Sequence, residues 1–175
     1  MSLELRADRV HQTYTRMAFE GAHNLCVLGG DAKGVLSRHI GRGSVSQVLV
    51  NFPEPPVWSG GGGESATHML SDDFLESVHD VLALSGTLTI HSDNMGYLDD
   101  LAGSIGALKK GGKALYRDDA RLLGAQVVKN VGGITVWDGA PGSVCGHSVQ
   151  AASYFDRLWE HGKRVRRGYI FVRAV

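Results

Sequence analysis

The chain has 175 residues, 43% of them hydrophobic and 21% charged, which suits one domain (1–175) with a proper core. No apolar run approaches the ~20 residues of a membrane span, and no basic-then-apolar leader opens the chain, so neither a membrane partner nor secretion is expected. Eighteen basic residues balance eighteen acidic ones, so no overall field attracts nucleic acid.

Leu3-Glu4-Leu5 reads as a strand remnant, apolar on either side of a carboxylate. From Ala7 to Glu20, Val10, Tyr14, Met17 and Ala18 fall at helical spacing, and Gly21 suits the stop after a helix. Asn24 to Leu28 predicts a second buried strand, with Cys26 as a buried thiol inside its apolar run. Cys26 and Cys145 are the only cysteines, which disfavours a disulfide framework or a zinc site. A reducing, intracellular compartment, cytoplasmic or nuclear, is the expectation. A short helix is predicted from about Ala32 to His39, and Gly41 and Gly43 mark a turn.

Val45 to Pro56 is the most informative stretch. Val48-Leu49-Val50 is a short apolar run, the pattern of a strand buried on both faces. Pro53, Pro55 and Pro56 then forbid a helix and ladder pairing, so the chain leaves the sheet as a stiff extended loop. That loop presents Phe52 and Glu54 just past the strand's carboxyl end, where open α/β sheets bind ligands. Taken alone, the pattern fits a rigid surface turn more readily than a site. Ser59 to Ala66 carries consecutive glycines and predicts a mobile loop, without the Lys-Ser/Thr end of a phosphate loop.

Ser71 is a good N-cap for a helix whose stripe is Phe74, Leu75, Val78, Val81 and Leu82, with Gly86 expected to end it. Leu88-Thr89-Ile90 predicts a strand ending in His91-Ser92-Asp93-Asn94, followed by a helix from about Met95 to Leu108 and a turn at Lys109 to Lys113. Val127-Val128 and Ile134 to Trp137 read as antiparallel strands across Val131-Gly132-Gly133. Ala140 to Gln150 is read as a polar mobile loop, Ser153 to His161 as a helical turn or two, and Tyr169 to Val172 as a closing strand. His68 and His147 are read as solvated surface histidines without a role. Strand and helix alternate with short links, which predicts an α/β fold with a doubly wound, mostly parallel sheet and an antiparallel C-terminal edge.

Four acidic residues close strands or follow them at once: Glu4, Asp31, Glu54 and Asp93. On one parallel sheet they would line a single crevice. A carboxylate there suits ribose hydroxyls, an exocyclic amine or a metal, but the spacing supplies neither a histidine pair for zinc nor a phosphate loop for magnesium, so no metal is expected. Paired-carboxylate hydrolysis stays open, although no Ser/His or Cys/His signature accompanies it. Polyanion contacts would fall to local patches, at Lys109, Lys110, Lys113 and Arg117, and at Arg157, Lys163, Arg164, Arg166 and Arg167, although such clusters are more often solvated surface.

Asn51-Phe52-Pro53-Glu54-Pro55 resembles the N-F-P-D-P-W loop of the tRNA (guanine-N7)-methyltransferases, enzymes with a Rossmann-like fold that use S-adenosyl-L-methionine. Leu3-Glu4-Leu5 resembles that family's second-strand G-I-E, whose glutamate binds ribose. Asn24 to Ala32 resembles its N-x-x-x-x-x-x-D-A, whose aspartate lies near the adenine. His91-Ser92-Asp93-Asn94 is similar to its T-D-N/W block, and Ser153-Tyr154-Phe155-Asp156 to its late T-x-Y/F-E segment, both parts of the substrate site.

The resemblance implies Glu54 and Asp93 as catalytic residues. It implies Glu4, Asp31, Ala32, Asn51 and Phe52 around the cofactor, and Glu54, Asp93, Ser153 and Asp156 around a tRNA guanine. The family's first strand and its E-x-G-x-G loop would precede Met1, so an N-terminally incomplete sheet is expected. Val57 to Leu70 contains no lysine or arginine, unlike the basic run that follows the loop in the family. The expected function is therefore a divergent or weakened tRNA guanine-N7 methyltransferase. The alternative is a catalytically silent RNA- or partner-binding protein, and a helper subunit could supply RNA contacts in either case.

Overall fold

The computed structural model describes residues 1–56, 68–119, 121, 125–146 and 165–175. The chain divides into two compact units, Met1–Gly41 and Arg42–Val175.

In the first unit, β1 (Ser2–Glu4) pairs in parallel with β2 (Val27–Gly29), in the register Ser2 to Val27 and Glu4 to Gly29. Between them runs α1 (Ala7–Phe19), ended as expected by Gly21, whose φ of 64° is left-handed. After β2 comes α2 (Ala32–His39), whose N-cap is Asp31. Its Val35 and Leu36 are buried, whereas α1 buries no residue at all. Cys26 is exposed, contrary to its expected burial. The ladder that follows it is three residues long, and its strand has a single neighbour.

The second unit is built on a sheet in the order β3-β4-β10-β9-β8. Here β3 is Val45–Asn51, β4 Leu82–Ser92, β8 Val127–Val131, β9 Ile134–Asp138 and β10 Gly168–Ala174. β3 and β4 are parallel, while β10, β9 and β8 join in antiparallel succession. The short β7 (Tyr116–Asp118) pairs with the far end of β10. β8 and β9 form the expected antiparallel edge, turning at Gly132 and Gly133, both at positive φ. The closing strand β10 lies inside the sheet, between β4 and β9.

β3 is not buried on both faces: Leu49 is 41% exposed, and the pattern alternates between exposed and half-buried. Among the described residues β3 has one neighbour, β4, so it is an edge strand.

Packed with this sheet are α3 (Asp72–Val81) and α4 (Met95–Ala107). Ser71 caps α3 by accepting from the Phe74 N–H, and Phe74, Leu75, Val78 and Val81 of the expected stripe are buried on it, whereas Leu82, its fifth member, opens β4 instead. Gly86 does not end this helix. The chain passes directly from Val81 into β4, and Gly86 lies within the strand. There a Cβ would meet the carbonyls of Ala83 and Val45 at 2.8 and 3.1 Å, so the site demands glycine. Ser85 beside it has φ of 62°, and the β3 ladder slips here, with Val45 opposite Leu82 but Gln47 opposite Thr87.

One face of the sheet carries Ile90, Ile170 and Val136 in register across three strands, all fully buried. The other face carries a cluster of Trp137, Tyr169, Phe171 and Cys145. Cys145 lies in the predicted polar loop, yet its 3-10 turn (Ser143–Cys145) is pinned inward where Gln47 donates to the Cys145 carbonyl. Burial pushes the Cys145 thiol up, so it stays protonated and inert at neutral pH.

Candidate active site

The second unit gathers Asn51, Phe52, Glu54 and Asp93 at the carboxyl ends of β3 and β4. Register sets Asn51 opposite His91, so both strands release the chain at the same level. Phe52 then takes φ of 49°, a left-handed conformation that is unusual for a residue with a side chain. It is the more constrained because Pro53 follows. Two contacts hold it there. Its N–H donates to the His91 carbonyl at 2.7 Å, and its ring packs on the His91 imidazole with centroids 4.7 Å apart. Pro53 is buried and Glu54 is exposed, so the proline loop has a fixed base and a carboxylate open to solvent.

From β4 the chain turns at once into α4. The Ser92 hydroxyl accepts from the Asn94 N–H at 3.1 Å, and Asn94 caps the helix by accepting from the Tyr97 N–H at 3.0 Å. Asp93 sits half-exposed between these two contacts, at the N-terminus of a 13-residue helix. Tyr97 is buried, and desolvation pushes its phenol up to about 12, so it remains protonated. Its hydroxyl lies 3.2 Å from His68 Nδ1. His68, expected as a solvated surface histidine, is half-buried here, and His91, expected only as part of the strand end, packs against Phe52. The alternation Leu88-Thr89-Ile90-His91 was the available signal for His91, since it puts the imidazole on the same sheet face as Thr89.

In the first unit, Glu4 and Asp31 share the carboxyl end of the β1–β2 pair. The Gly30 N–H donates to the Glu4 carbonyl at 3.0 Å, tying the turn after β2 to the end of β1. Glu4 Oε1 accepts from the Arg6 N–H at 3.0 Å, and Asp31 Oδ2 accepts from the Gly34 N–H at 2.8 Å. The second oxygen of each carboxylate has no protein partner among the described residues. Ala32 opens α2 directly beside Asp31. Of the anticipated site residues, Ser153 and Asp156 lie outside the described residues, as do most of the two anticipated mobile loops. Among the described residues no group of three or more His, Cys, Asp or Glu side chains could hold a metal ion.

Residues 1–119, more than half of the chain, match the model of the family described as "Putative methyltransferase". The chain belongs to that methyltransferase family. Two curated relatives of this chain are named tRNA (guanine-N(7)-)-methyltransferase. That of Chlamydia felis is 32% identical over 99 residues, and that of Chlamydia trachomatis 29% over 100. Each alignment covers 56% of this chain and 42% of the relative, so the chain spans about two fifths of the curated proteins it matches. Among solved structures, a rRNA methylase from Streptococcus thermophilus is 10% identical with a TM-score of 0.53, over 99% of this chain and 71% of that one. TrmN from Thermus thermophilus is 13% identical with the same TM-score of 0.53, over 99% of this chain and 35% of that one. These likenesses establish the Rossmann-like α/β fold of the methyltransferases for this chain. No helix among the described residues is long and apolar enough to cross a membrane.

Proposed function

We propose that this chain performs methyl transfer from S-adenosylmethionine to N7 of a guanine in tRNA, as a divergent member of its family. The observation that carries the reading is the strained Phe52 turn locked onto His91. It projects Glu54 from the end of one parallel strand, while Asp93 leaves the next strand at a helix N-terminus. Strain at a sparsely populated backbone conformation survives only where its surroundings enforce it, and such places cluster at binding sites. The names of the curated relatives support the reaction and the substrate.

The residues present fit the cofactor. Among the described residues Glu4 and Asp31 each retain a carboxylate oxygen without a protein partner, suited to ribose hydroxyls and to the adenine amine respectively. Ala32, which opens α2 beside Asp31, completes the first unit's contacts in this reading. Once bound, S-adenosylmethionine supplies an electrophilic methyl on a sulfonium. Guanine N7 already bears a free lone pair, so the chain needs no general base. Its task is to hold the base at near-attack distance. Glu54 and Asp93 accept the guanine N1–H and N2–H₂, a pattern adenine lacks, once the base has left its stack. Ser153 and Asp156 add substrate contacts. An RNA substrate and a nucleoside cofactor both belong inside the cell. Any helper subunit acts by supplying the basic contacts missing from Val57 to Leu70.

The test is to incubate the chain with methyl-labelled S-adenosylmethionine and in vitro transcribed tRNA, then digest the RNA to nucleosides. Label in 7-methylguanosine is expected. Calorimetric binding of S-adenosylmethionine without label would leave a silent binding protein, and neither heat nor label would overturn the reading.

A further inference from the structure

We infer that a second RNA contact lies on the Lys109–Lys113 hairpin, which is built to take the phosphate backbone of a nucleic acid. The inference draws on the RNA-directed reading only for the identity of its polyanion. The hairpin comprises β5 (Lys109–Lys110) and β6 (Lys113–Ala114), paired antiparallel, with Gly111 and Gly112 at φ of 60° and 78° forming its tip. Two consecutive left-handed residues make the tight turn whose twist suits a two-residue hairpin. Every residue from Lys109 to Ala114 is exposed, and nothing lies within 4 Å of where a Cβ would stand at either glycine of the tip.

The charge on this hairpin is not balanced within the fold. Lys110 and Lys113 are directly opposed across the ladder, a like-charge pair that destabilises a hairpin in isolation. Lys110 shares a single Asp80 carboxylate oxygen with Arg42, at 3.3 and 3.0 Å. Lys109 and Lys113 have no carboxylate partner among the described residues. Among the described residues four cations therefore answer to one anion. Register sets Lys110 and Lys113 on one face of the ladder, ~5 Å apart, with Lys109 on the opposite face, so a phosphate backbone running past the hairpin can meet an ammonium on either side of it.

Lysine binds phosphate as a point charge. The hairpin carries no aromatic or large aliphatic side chain to enter a lipid surface. A neutral chain overall needs such a patch if it is to hold a polyanion at all.

The experiment measures binding of unfractionated tRNA by anisotropy across a salt series, with phosphatidylserine vesicles as a parallel probe. In Lys109→Ala/Lys113→Ala the slope of log K against log salt should flatten by about 1.5, since each phosphate contact contributes roughly 0.7–0.9. Asp80→Asn, which releases Lys110 and Arg42, should tighten binding and steepen the slope by about 1. Circular dichroism of both variants should match the wild type. An unchanged slope in the double variant, a wild type that binds no tRNA, or loss of vesicle binding alone would overturn the inference. Calorimetry with S-adenosylmethionine separates the two claims. A flattened slope in a chain that binds no cofactor keeps the hairpin contact and sinks the methyl-transfer reading, and an unchanged slope with normal methylation does the reverse.

Discussion

Phe52 offers a sign test of the strained turn. In most folded positions glycine is less stable than alanine by roughly 0.5–1 kcal/mol, because the unfolded chain gains freedom. At φ of 49° the order should reverse. A left-handed residue with a Cβ bears roughly 1–2 kcal/mol of strain that glycine escapes, and Pro53 adds to the crowding. Both Phe52→Ala and Phe52→Gly lose the ring contact with His91, worth about 0.5–1.5 kcal/mol, so that loss cancels between them. The expected result is that Phe52→Gly is more stable than Phe52→Ala by about 0.5–1 kcal/mol. Urea unfolding followed by tryptophan fluorescence reads it, since all three tryptophans lie in Arg42–Val175. An alanine variant as stable as the glycine variant, or more so, at equal m-values would show that the turn is relaxed. The argument for a built loop would then fail.

Other expectations are simpler to state. Asp93→Ala should abolish methyl transfer while leaving the urea midpoint within experimental error, because the helix cap is Asn94 and not Asp93; wild-type turnover would contradict its role. Ile90→Ala should destabilise by about 3–4 kcal/mol, the range for a fully buried aliphatic at the centre of a core, and a loss under 1 kcal/mol would mean that the sheet face is loosely packed. Asp119 is buried and held below the ordinary carboxylate range, chiefly by hydrogen bonds from Arg121. Its stabilisation is therefore complete above about pH 4 and lost as pH falls through the lowered value. Asp119→Asn should cost about 2 kcal/mol at neutral pH and should lessen the acid dependence of the unfolding midpoint; an identical acid profile would remove Asp119 as its source.

Local chemistry made much of the fold legible. The α3 stripe needed only a Ser71 cap and four apolar residues at helical spacing, and the β8–β9 turn needed only Gly132 and Gly133. The carboxylates near strand ends were legible because each lies within four residues of a short apolar run. What failed was decided at a distance. Gly86 reads as a helix stop, but its need comes from two carbonyls, that of Ala83 just before it and that of Val45 on another strand. Cys26 reads as buried because its neighbours are apolar, yet among the described residues β2 has one neighbouring strand and α1 buries nothing. His68 looks like a loop residue until α4 brings Tyr97 beneath it. The late position of β10 in the chain conceals its place between β4 and β9, since sequence order says little about which strand a returning segment will join.

The outer rim of β3 bears on how the purified protein behaves in a tube. Val45–Asn51 holds no charge and no proline, the usual guards against edge-to-edge stacking, and its Leu49 is 41% exposed. Concentrated samples should accordingly gain mass in light scattering as molecules add to one another along that rim, and Leu49→Lys should keep them monodisperse.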